Sequence, residues 1–408
     1  MTTEPQSVPT GLQLTALDPA FRENPHPVLA WLRDAEPVHY DAILKRWILT
    51  HDAEILEVLR DRTLSVDARN AADGTYMKLF ERTEDFRGGN PSMLFADPPY
   101  HTRLRSLVTK AFSAKAVEAL APRIREIADT LLDAVEGAPE WDLIAAYAGP
   151  LPVIVIAEML GVDPADRADF KRWSDTSVTG FNPVLTQEQA AVIAASMQEL
   201  DDYLRRAIAA RRAEPREDLI TALIHAREDD GDQLTEDEIV TMCGLLLAAG
   251  NVTTTDLIGN AVLTLLEHRE QWNMLRRDPS LLRNAVEEVL RYEPPVLQTG
   301  RIATRDLEIG GCPIKRGESI LTVLAAAGRD PETHTEPDRF DITRSDTAHQ
   351  AFGGGVHFCL GAPLARLEGQ IALERLIARF PDLNLAEQEL EWLTLPVFRG
   401  LERLIVRA

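Results

Sequence analysis

The sequence is poor in cysteine, and this scarcity excludes several classes of protein. Only Cys243, Cys312 and Cys359 occur in 408 residues, and no two of them have the spacing of a metal clip or a disulfide framework. A small secreted scaffold held by disulfides is therefore excluded, as is a structural zinc site built on paired cysteines. The pattern indicates a reducing compartment, and we expect the protein to be cytoplasmic.

Long hydrophobic runs and an excess of positive charge are also absent. The N-terminus, MTTEPQSVPTG, has no basic region followed by an apolar segment, and the sequence contains no run of about 18 apolar residues. Neither secretion nor a membrane span is predicted. The 43 Lys and Arg residues face 65 Asp and Glu, and the net charge of -22 repels phosphate backbones and anionic lipids. We expect no nucleic-acid partner.

Apolar residues recur at helical spacing over most of the chain, for example in residues 115–136 and 188–212. Strand signals are confined to short patches at residues 38–51 and 303–327, the second of which is interrupted by glycine turns. No linker rich in Pro, Gly or Ser divides the chain. The sequence predicts one mainly α domain with small antiparallel β-sheets.

One long segment, LTEDEIVTMCGLLLAAGNVTTTDLIGNAVLTLLEH, is predicted to be a central helix. Thr235 and Glu238 form a capping-box signature, and the pattern stays apolar on most faces for roughly 30 residues, or about 45 Å of helix. Such a helix belongs inside a protein. In its middle, Ala248, Ala249 and Gly250 leave room for a flat group to approach the backbone. Alternatively, they permit close helix crossing, and the threonines that follow bond back to carbonyls one turn earlier.

The segment FGGGVHFCLG, residues 352–361, places a cysteine at the start of a second predicted helix. Pro363 suits the first turn of that helix, so Cys359 lies near a helix N-terminus, which favours the thiolate form that binds metals. The glycines remove side chains that would block a large planar ligand from reaching the sulfur. The alternative, an inert buried cysteine, is the interpretation for Cys243 and Cys312.

These ten residues fit the pattern F-x-x-G-x-[HR]-x-C-x-G, and the chain resembles the cytochrome P450 superfamily of haem-thiolate monooxygenases. EVLR occurs twice, but only Glu288 to Arg291 is followed by YEPPV, AAAGRDP and PDRFDITR in the family's order. The resemblance implies a single-domain cytochrome P450 fold over residues 18–408, after a disordered leader at 1–17. It also implies a buried network of Glu288, Arg291 and Arg339, for which ordinary surface ion pairs are the alternative.

The resemblance implies that the cofactor is haem b, iron protoporphyrin IX, and that the Cys359 thiolate ligates its iron. It also implies which other residues contact the cofactor. These are His101, Arg105, Ala249, Arg301 and His357. The two histidines and two arginines would meet the haem propionates, since cationic and hydrogen-bonding groups compensate carboxylates. Unrelated surface charges are the alternative.

The implied activity inserts one oxygen atom from O2 into a hydrophobic organic substrate. The family's A-G-x-[DE]-T-[TS] motif delivers protons through an acid and an alcohol; Ala249 and Thr253 match it, but Val252 occupies the acid position. Thr253 with ordered water, a further acid such as Asp256, or looser coupling would then serve. Two other functions stay open: an H2O2-dependent peroxygenase, and a non-catalytic haem-binding or sensor protein.

The implied electron source is a ferredoxin with a ferredoxin reductase that draws on NAD(P)H, because the chain carries no flavin or iron–sulfur segment of its own. Arg103, Lys110 and Lys115 are candidates for a basic docking face, despite the negative net charge. Ordinary solvated helix charges are the equally weighted alternative.

The substrate contacts are expected to be mostly apolar, which favours a terpenoid, steroid, fatty acid or polyketide held by shape and burial. Segments 69–95, 170–194 and 395–397 should contribute. The individual candidates are Ala248, Val296, Leu297 and Val397. Alternatively, a carboxylate on the substrate would be bound by Lys78, Arg82 and Arg87.

Overall fold

Helices account for most of the structure, a computed structural model that describes residues 8–81, 91–109, 112–180, 182, 185–227 and 231–408. The α-helices are α1 Pro19–Glu23, α2 His26–Ala35, α3 Asp52–Arg60, α4 Tyr100–Thr109, α5 Ala114–Glu118, α6 Ala121–Asp133, α7 Pro150–Leu160, α8 Arg167–Thr179, α9 Gln187–Ala213, α10 Leu219–His225, α11 Glu236–Glu267, α12 Arg269–Arg277, α13 Leu282–Tyr292, α14 Leu324–Ala327 and α15 Ala362–Arg379. The predicted central helix is α11, and its capping box is present: Glu238 N–H donates to Thr235 Oγ1 at 3.2 Å, and Thr235 N–H donates to Glu238 Oε2 at 2.8 Å.

The strands are short and form small sheets. They are β1 Val38–Asp41, β2 Arg46–Leu49, β3 Glu140–Asp142, β4 Thr299–Ile302, β5 Leu307–Ile309, β6 Cys312–Ile314, β7 Ser319–Thr322, β8 Asn384–Leu385, β9 Glu391–Trp392, β10 Leu401–Arg403 and β11 Ile405–Arg407. Their orders are β1-β2-β7-β4, β3-β11-β8, β5-β6 and β10-β9. Every pair is antiparallel except β2 with β7. The sequence does not reveal this parallel pair, since alternation within a strand carries no information about its partner's direction.

The described chain divides into two compact units, and the first comprises Met1–Glu81, Gly259–Cys359 and Glu387–Leu404. Its four-stranded sheet lies beside α3 and α14, and one buried cluster joins Leu49, Ile55, Ile314 and Ile320. A second cluster joins residues of α1 and α2 to Leu297 and Val323. The apolar faces of strands and helices, read from the sequence, thus supply this core.

The N-terminal residues take part in the second cluster. Residues 1–7 of the predicted leader lie outside the described residues, whereas Gly11–Leu14 forms a 3₁₀ turn in which Leu14 is buried. The carboxylate of Asp41 accepts hydrogen bonds from Thr10 Oγ1 at 2.6 Å and Gly11 N–H at 2.9 Å. The domain boundary at residue 18 stays a prediction. Ordered structure is already present before it, in the turn Gly11–Leu14.

The predicted ion network of the first unit is present, with one correction. Arg291 is fully buried and donates to Glu288 at 2.7 and 2.8 Å and to the carbonyls of Gly328 and Pro337, each at 2.7 Å. Arg339 was wrongly expected to pair with Glu288, because its side chain is 59% exposed. It contributes only its carbonyl, which accepts from Arg291 Nη2 at 3.1 Å.

Arg344 takes the place that the sequence assigned to Arg339. Its guanidinium lies 3.3 Å from Glu288 Oε1 and also donates to three carbonyl groups of the same loop. Both arginines belong to the PDRFDITR segment, and its irregular backbone decides which of them turns inward. No helical or strand period predicts that choice.

The second unit comprises Arg82–Ile258, Leu360–Ala386 and Ile405–Ala408. In it α6 packs against α7 and α15, and α8 packs against α9. Tyr147 fastens a π-helical turn to α15, because its hydroxyl donates to the carbonyl of Ala372 at 2.9 Å. The three-stranded sheet β3-β11-β8 joins this unit's chain segments.

Among the described residues, α11 alone has the length and composition of a membrane-spanning helix. Its most apolar window of 18 residues is 44% buried inside the structure. The long core helix of a globular fold passes the same test, so a single such helix is weak evidence for a span.

Candidate active site

The cysteine loop lies in the first unit and is held by its own backbone. Cys359 N–H donates to the Phe352 carbonyl at 3.0 Å, and Gly353 N–H donates to the Gln350 carbonyl at 2.7 Å. Residues Gly355–His357 form a 3₁₀ turn between these two contacts, and Cys359 is half-buried. The backbone of the loop is therefore held in place, and part of the Cys359 surface stays exposed.

The structure gives one glycine of this loop a reason that the sequence does not reveal. Gly355 adopts φ +62°, and a Cβ there would lie 2.2 Å from the backbone carbonyl oxygen of Leu59 in α3. No side chain fits that close approach, and the positive φ also favours glycine. Besides clearing space for a ligand, the glycines thus let the loop pack on the end of α3.

The side chains of the loop suit a metal ion that is already coordinated by another group. Within the described residues, no three His, Cys, Asp or Glu side chains are grouped so that they hold a metal ion. Cys359 would therefore be the sole protein ligand. One protein ligand is enough for an iron that is held by the four ring nitrogens of a porphyrin, but not for a bare metal ion. The residues around the thiol fit haem b in this respect.

Two predicted propionate partners lie in the same unit as the cysteine loop. Arg301 lies on β4, is 4% exposed, and donates from Nη1 to the Gly300 carbonyl at 2.7 Å. His357 belongs to the 3₁₀ turn of the loop and is half-buried. Both carry donors suited to a carboxylate.

Three of the predicted substrate contacts are brought together in the first unit. Leu297 N–H donates to the Val397 carbonyl at 2.8 Å, and Val296 forms a β-bridge with Phe398. Val296 and Val397 are half-buried, whereas Leu297 is 3% exposed and packs into the second core cluster. Leu297 therefore acts first as a core residue that supports its neighbours.

The carboxylate alternative rests on three residues, of which the structure describes one. Lys78 forms an ion pair with Glu81. Arg82 and Arg87 lie outside the described residues, as does all of segment 82–90. The charge of Lys78 is thus already compensated within its own turn.

The centre of α11 lies in the second unit and carries the predicted alcohol. Thr253 Oγ1 donates to the Ala249 carbonyl at 2.8 Å, the back-bonding that the sequence offered as an alternative. Its oxygen can still accept a hydrogen bond. Ala249 is exposed and Ala248 is half-buried, so this part of the helix carries only small methyl side chains near Thr253.

The other two predicted propionate partners share one face of α4 in the second unit. His101 is 2% exposed, and burial lowers its pKa, with a further lowering by the positive charge of Arg105 and an opposing effect of Asp97. The charge of Arg105 is felt at His101 because residues four apart are neighbours on a helix. A neutral imidazole at this position acts as a hydrogen-bond donor or acceptor.

Arg103, a candidate for the docking face, is enclosed by acidic partners. It forms an ion pair with Asp232 and donates to Glu238 at 2.7 Å, while the Tyr100 hydroxyl donates to Glu238 at 3.1 Å. Its charge is therefore compensated, and it is not a free cation for docking. Lys110 lies outside the described residues, and Lys115 is exposed.

Glu368 on α15 is a buried acid that the sequence reasoning missed. It is 2% exposed, and burial raises its pKa to about 8, although a hydrogen bond from the Thr254 hydroxyl opposes the shift. Glu368 follows Leu364 by four residues and precedes Ile371 by three, so it lies on the apolar face of the predicted helix. A lone acid on such a face was the available signal.

We expect Glu368 to hold a proton at neutral pH. Infrared difference spectra of the wild type minus Glu368→Gln at pH 6 should contain a carboxylic acid band that titrates away near pH 8. Because the folded-state pKa lies above the ordinary 4.5, this group's contribution to stability is present at low pH and is lost as pH rises towards 8. The slope is about 1.4 kcal/mol per pH unit. A difference spectrum without this band at pH 6 would contradict the assignment.

The remaining candidates are buried as well. Asp256, the alternative acid on α11, is 2% exposed. Cys243 is completely buried, and burial raises its pKa to about 12, which agrees with an inert thiol. Cys312 is half-buried, with its Sγ 3.8 Å from the Val38 carbonyl oxygen.

Comparison with known proteins finds relatives that match nearly the whole chain. The family model described as Cytochrome P450 matches residues 180–392. Cytochrome P450 107B1 of Saccharopolyspora erythraea is 45% identical and 97% of each chain is covered, and cytochrome P450 monooxygenase PikC of Streptomyces venezuelae is 42% identical over 98% of this chain and 94% of that one. The solved structure of the bacillaene polyketide synthase cytochrome P450 PksS of Bacillus subtilis has a TM-score of 0.88 at 37% identity, with 96% and 98% covered.

The chain belongs to the cytochrome P450 family. It is an oxidoreductase of the monooxygenase type whose cofactor is haem b, and it has the family's mainly α fold with small sheets. The predicted family, fold, enzyme class and cofactor are thereby confirmed.

Proposed function

We propose that the protein hydroxylates, or similarly oxidises, a large hydrophobic organic molecule with O2 and electrons from a separate ferredoxin and ferredoxin reductase. The observation that carries this proposal is the half-buried Cys359, in a loop held by its own backbone bonds, at a place where the described residues form no cluster of three metal-binding side chains. We also infer a cytoplasmic location, because the sequence has three cysteines without the spacing of a disulfide framework.

The cofactor would be held by the residues that the family resemblance assigns to it. Cys359 supplies the thiolate ligand, and haem b with that ligand supplies the oxygen-activating chemistry. His101, Arg105, Arg301 and His357 bind the propionates, and of these the two arginines carry permanent charge. The small side chain of Ala249 would leave room for the porphyrin beside α11.

Proton supply is assigned to the polar residues of α11 and its neighbour. The Thr253 hydroxyl is oriented by its hydrogen bond to the Ala249 carbonyl. Its oxygen can still accept a hydrogen bond from a proton donor. Val252 cannot take part, because its side chain has no exchangeable proton. Glu368 is hydrogen-bonded to the hydroxyl of Thr254, the residue after Thr253, and its raised pKa makes it a second candidate proton source.

The substrate would be bound by apolar contacts from Ala248, Val296 and Val397, while Leu297 packs into the second core cluster. Apolar walls favour shape and burial over charge, and Lys78 is already paired. A polyketide is the substrate class we favour, because the structural neighbour PksS is named for a polyketide synthase.

A peroxygenase is the second candidate, and Val252 favours it specifically. An enzyme that receives H2O2 obtains oxygen and protons together and does not need an acid at that position. The two functions share every haem-binding residue and differ in their oxidant.

The test begins with a spin-shift screen of the haem-loaded protein against macrolide and other polyketide lactones, steroids and fatty acids. A compound that shifts the spin state is then incubated with ferredoxin, reductase and NADPH under ¹⁸O2. We expect a product that carries one ¹⁸O atom. Product formed only with added H2O2 would establish the peroxygenase instead, and binding without product under either condition would establish a non-catalytic haem protein.

A further inference from the structure

A buried hydrogen bond connects α8 to the centre of α11 within the second unit. Asn251 Nδ2 donates to Ser174 Oγ at 2.8 Å, although the residues are 77 positions apart in the chain. Asn251 is 3% exposed and Ser174 is 0% exposed. A bond between two buried side chains on different helices fixes their relative position, because a shift of either helix leaves polar atoms unsatisfied away from water.

The two side chains also use their remaining capacity for hydrogen bonding. Ser174 Oγ donates to the Leu247 carbonyl at 3.4 Å, one turn before Asn251. Thr255 Oγ1 donates to Asn251 Oδ1 at 3.3 Å, one turn after it. The contact therefore holds two turns of α11, residues 247–255, which include Ala249 and Thr253.

α8 is also joined to α9. The rings of Phe170 and Trp173 on α8 and Tyr203 on α9 form a mutual cluster with centroid separations of 5.3 to 5.5 Å. Aromatic clusters of this geometry are favourable beyond the area they bury. A displacement of α8 is therefore shared with α9 and is opposed at α11 by the Ser174–Asn251 bond.

Asn251 is placed so that it affects the alcohol without touching it. Residues two apart on a helix differ by about 200° in direction, so Asn251 and Thr253 face opposite sides of α11. The hydroxyl of Thr253 is oriented by the Ala249 carbonyl, two residues before Asn251. A change in the path of α11 at residue 251 changes the position of that carbonyl and of the hydroxyl together.

We propose that Ser174 and Asn251 are positioning residues that transmit the position of α8 to the Thr253 segment of α11. This inference rests on the proposed function, in which Thr253 belongs to proton supply, and on the expectation from the sequence that residues 170–194, which include most of α8, contact the substrate. A bound ligand that restricts the motion of α8 would then also restrict the motion of the α11 segment. Oxygen chemistry and substrate binding would thereby be coupled through one buried bond.

The variants must separate transmission from simple stabilisation. Ser174→Ala leaves the Asn251 amide without its acceptor and should lower the melting temperature. The double variant Ser174→Ala/Asn251→Leu replaces both polar groups with apolar ones of matching shape, which is often nearly neutral for stability. Ser177→Ala is the matched control, because the Ser177 hydroxyl donates at 2.7 Å to the Trp173 carbonyl in its own helix and lies 3.3 Å from Met197 Sδ on α9, so its removal leaves the bonds between α8 and α11 in place.

The measurement is amide hydrogen exchange of the holoenzyme with and without 4-phenylimidazole, a probe whose nitrogen ligates haem iron irrespective of the natural substrate. In the wild type and Ser177→Ala we expect the probe to slow exchange in both α8 and residues 246–256. In the double variant we expect α8 to remain protected and the protection of residues 246–256 to be lost.

Two results would overturn the proposal. One is a double variant with wild-type melting that retains the full protection of residues 246–256. The other is a wild type in which α8 responds and α11 does not. The readout requires no turnover, so a failure of the proposed hydroxylation leaves the exchange result intact and the two failures are distinguishable.

Discussion

Replacement of Cys359 by serine is expected to abolish the thiolate-type band in the carbon monoxide difference spectrum of the reduced protein. A serine hydroxyl does not ionise near neutral pH, whereas a thiol does so readily near a helix N-terminus or a metal. The backbone of the loop should persist, because Cys359 N–H and the Phe352 carbonyl make their 3.0 Å bond independently of the side chain. Haem content and far-ultraviolet circular dichroism should therefore fall much less than the band.

Cys312→Ser is the matched control for this experiment. Cys312 is half-buried like Cys359, but it lies on β6 in a two-stranded sheet rather than in the glycine loop. Its replacement should leave the band unchanged. If the band survived in Cys359→Ser, or vanished in Cys312→Ser, the assignment of the iron ligand would be wrong.

The cysteine loop was predictable from the sequence because its chemistry is local. A thiol, four glycines and a helix start within ten residues define what the segment can bind, and the backbone bonds found there involve neighbours in the chain. The fit of Gly355 against Leu59 was not predictable, because the carbonyl it approaches comes from α3, almost 300 residues earlier.

Contacts between distant residues also account for what the sequence reasoning missed. Glu368 was visible as an acid on an apolar helix face, but its neighbour Thr254 comes from another helix. The bond between Ser174 and Asn251 leaves no periodic signal, since serine and asparagine are ordinary residues in either helix. Conversely, Arg339 was chosen over Arg344 because a motif gives residue types and not the direction of each side chain.

Replacement of Arg291 by alanine is expected to lower the free energy of unfolding by about 3–5 kcal/mol, the usual cost of removing one partner from a buried ion pair. Arg291 makes five hydrogen bonds to Glu288 and to the carbonyls of Gly328, Pro337 and Arg339. After its removal, Arg344 at 3.3 Å is the cation left beside the buried Glu288 carboxylate. Urea unfolding followed by tryptophan fluorescence and haem absorbance measures the change.

Arg339→Ala provides the comparison that makes this result specific. Its exposed side chain pairs only with Glu336 and Asp341 among the described residues, and an exposed pair contributes about 0–1 kcal/mol. Its carbonyl bond to Arg291 survives the substitution, since the backbone is unchanged. Arg291→Lys should fall between the two, because an ammonium keeps the charge but loses the forked contact with Glu288. Equal losses in Arg291→Ala and Arg339→Ala would show that the predicted trio, and not the inward Arg344, stabilises the fold.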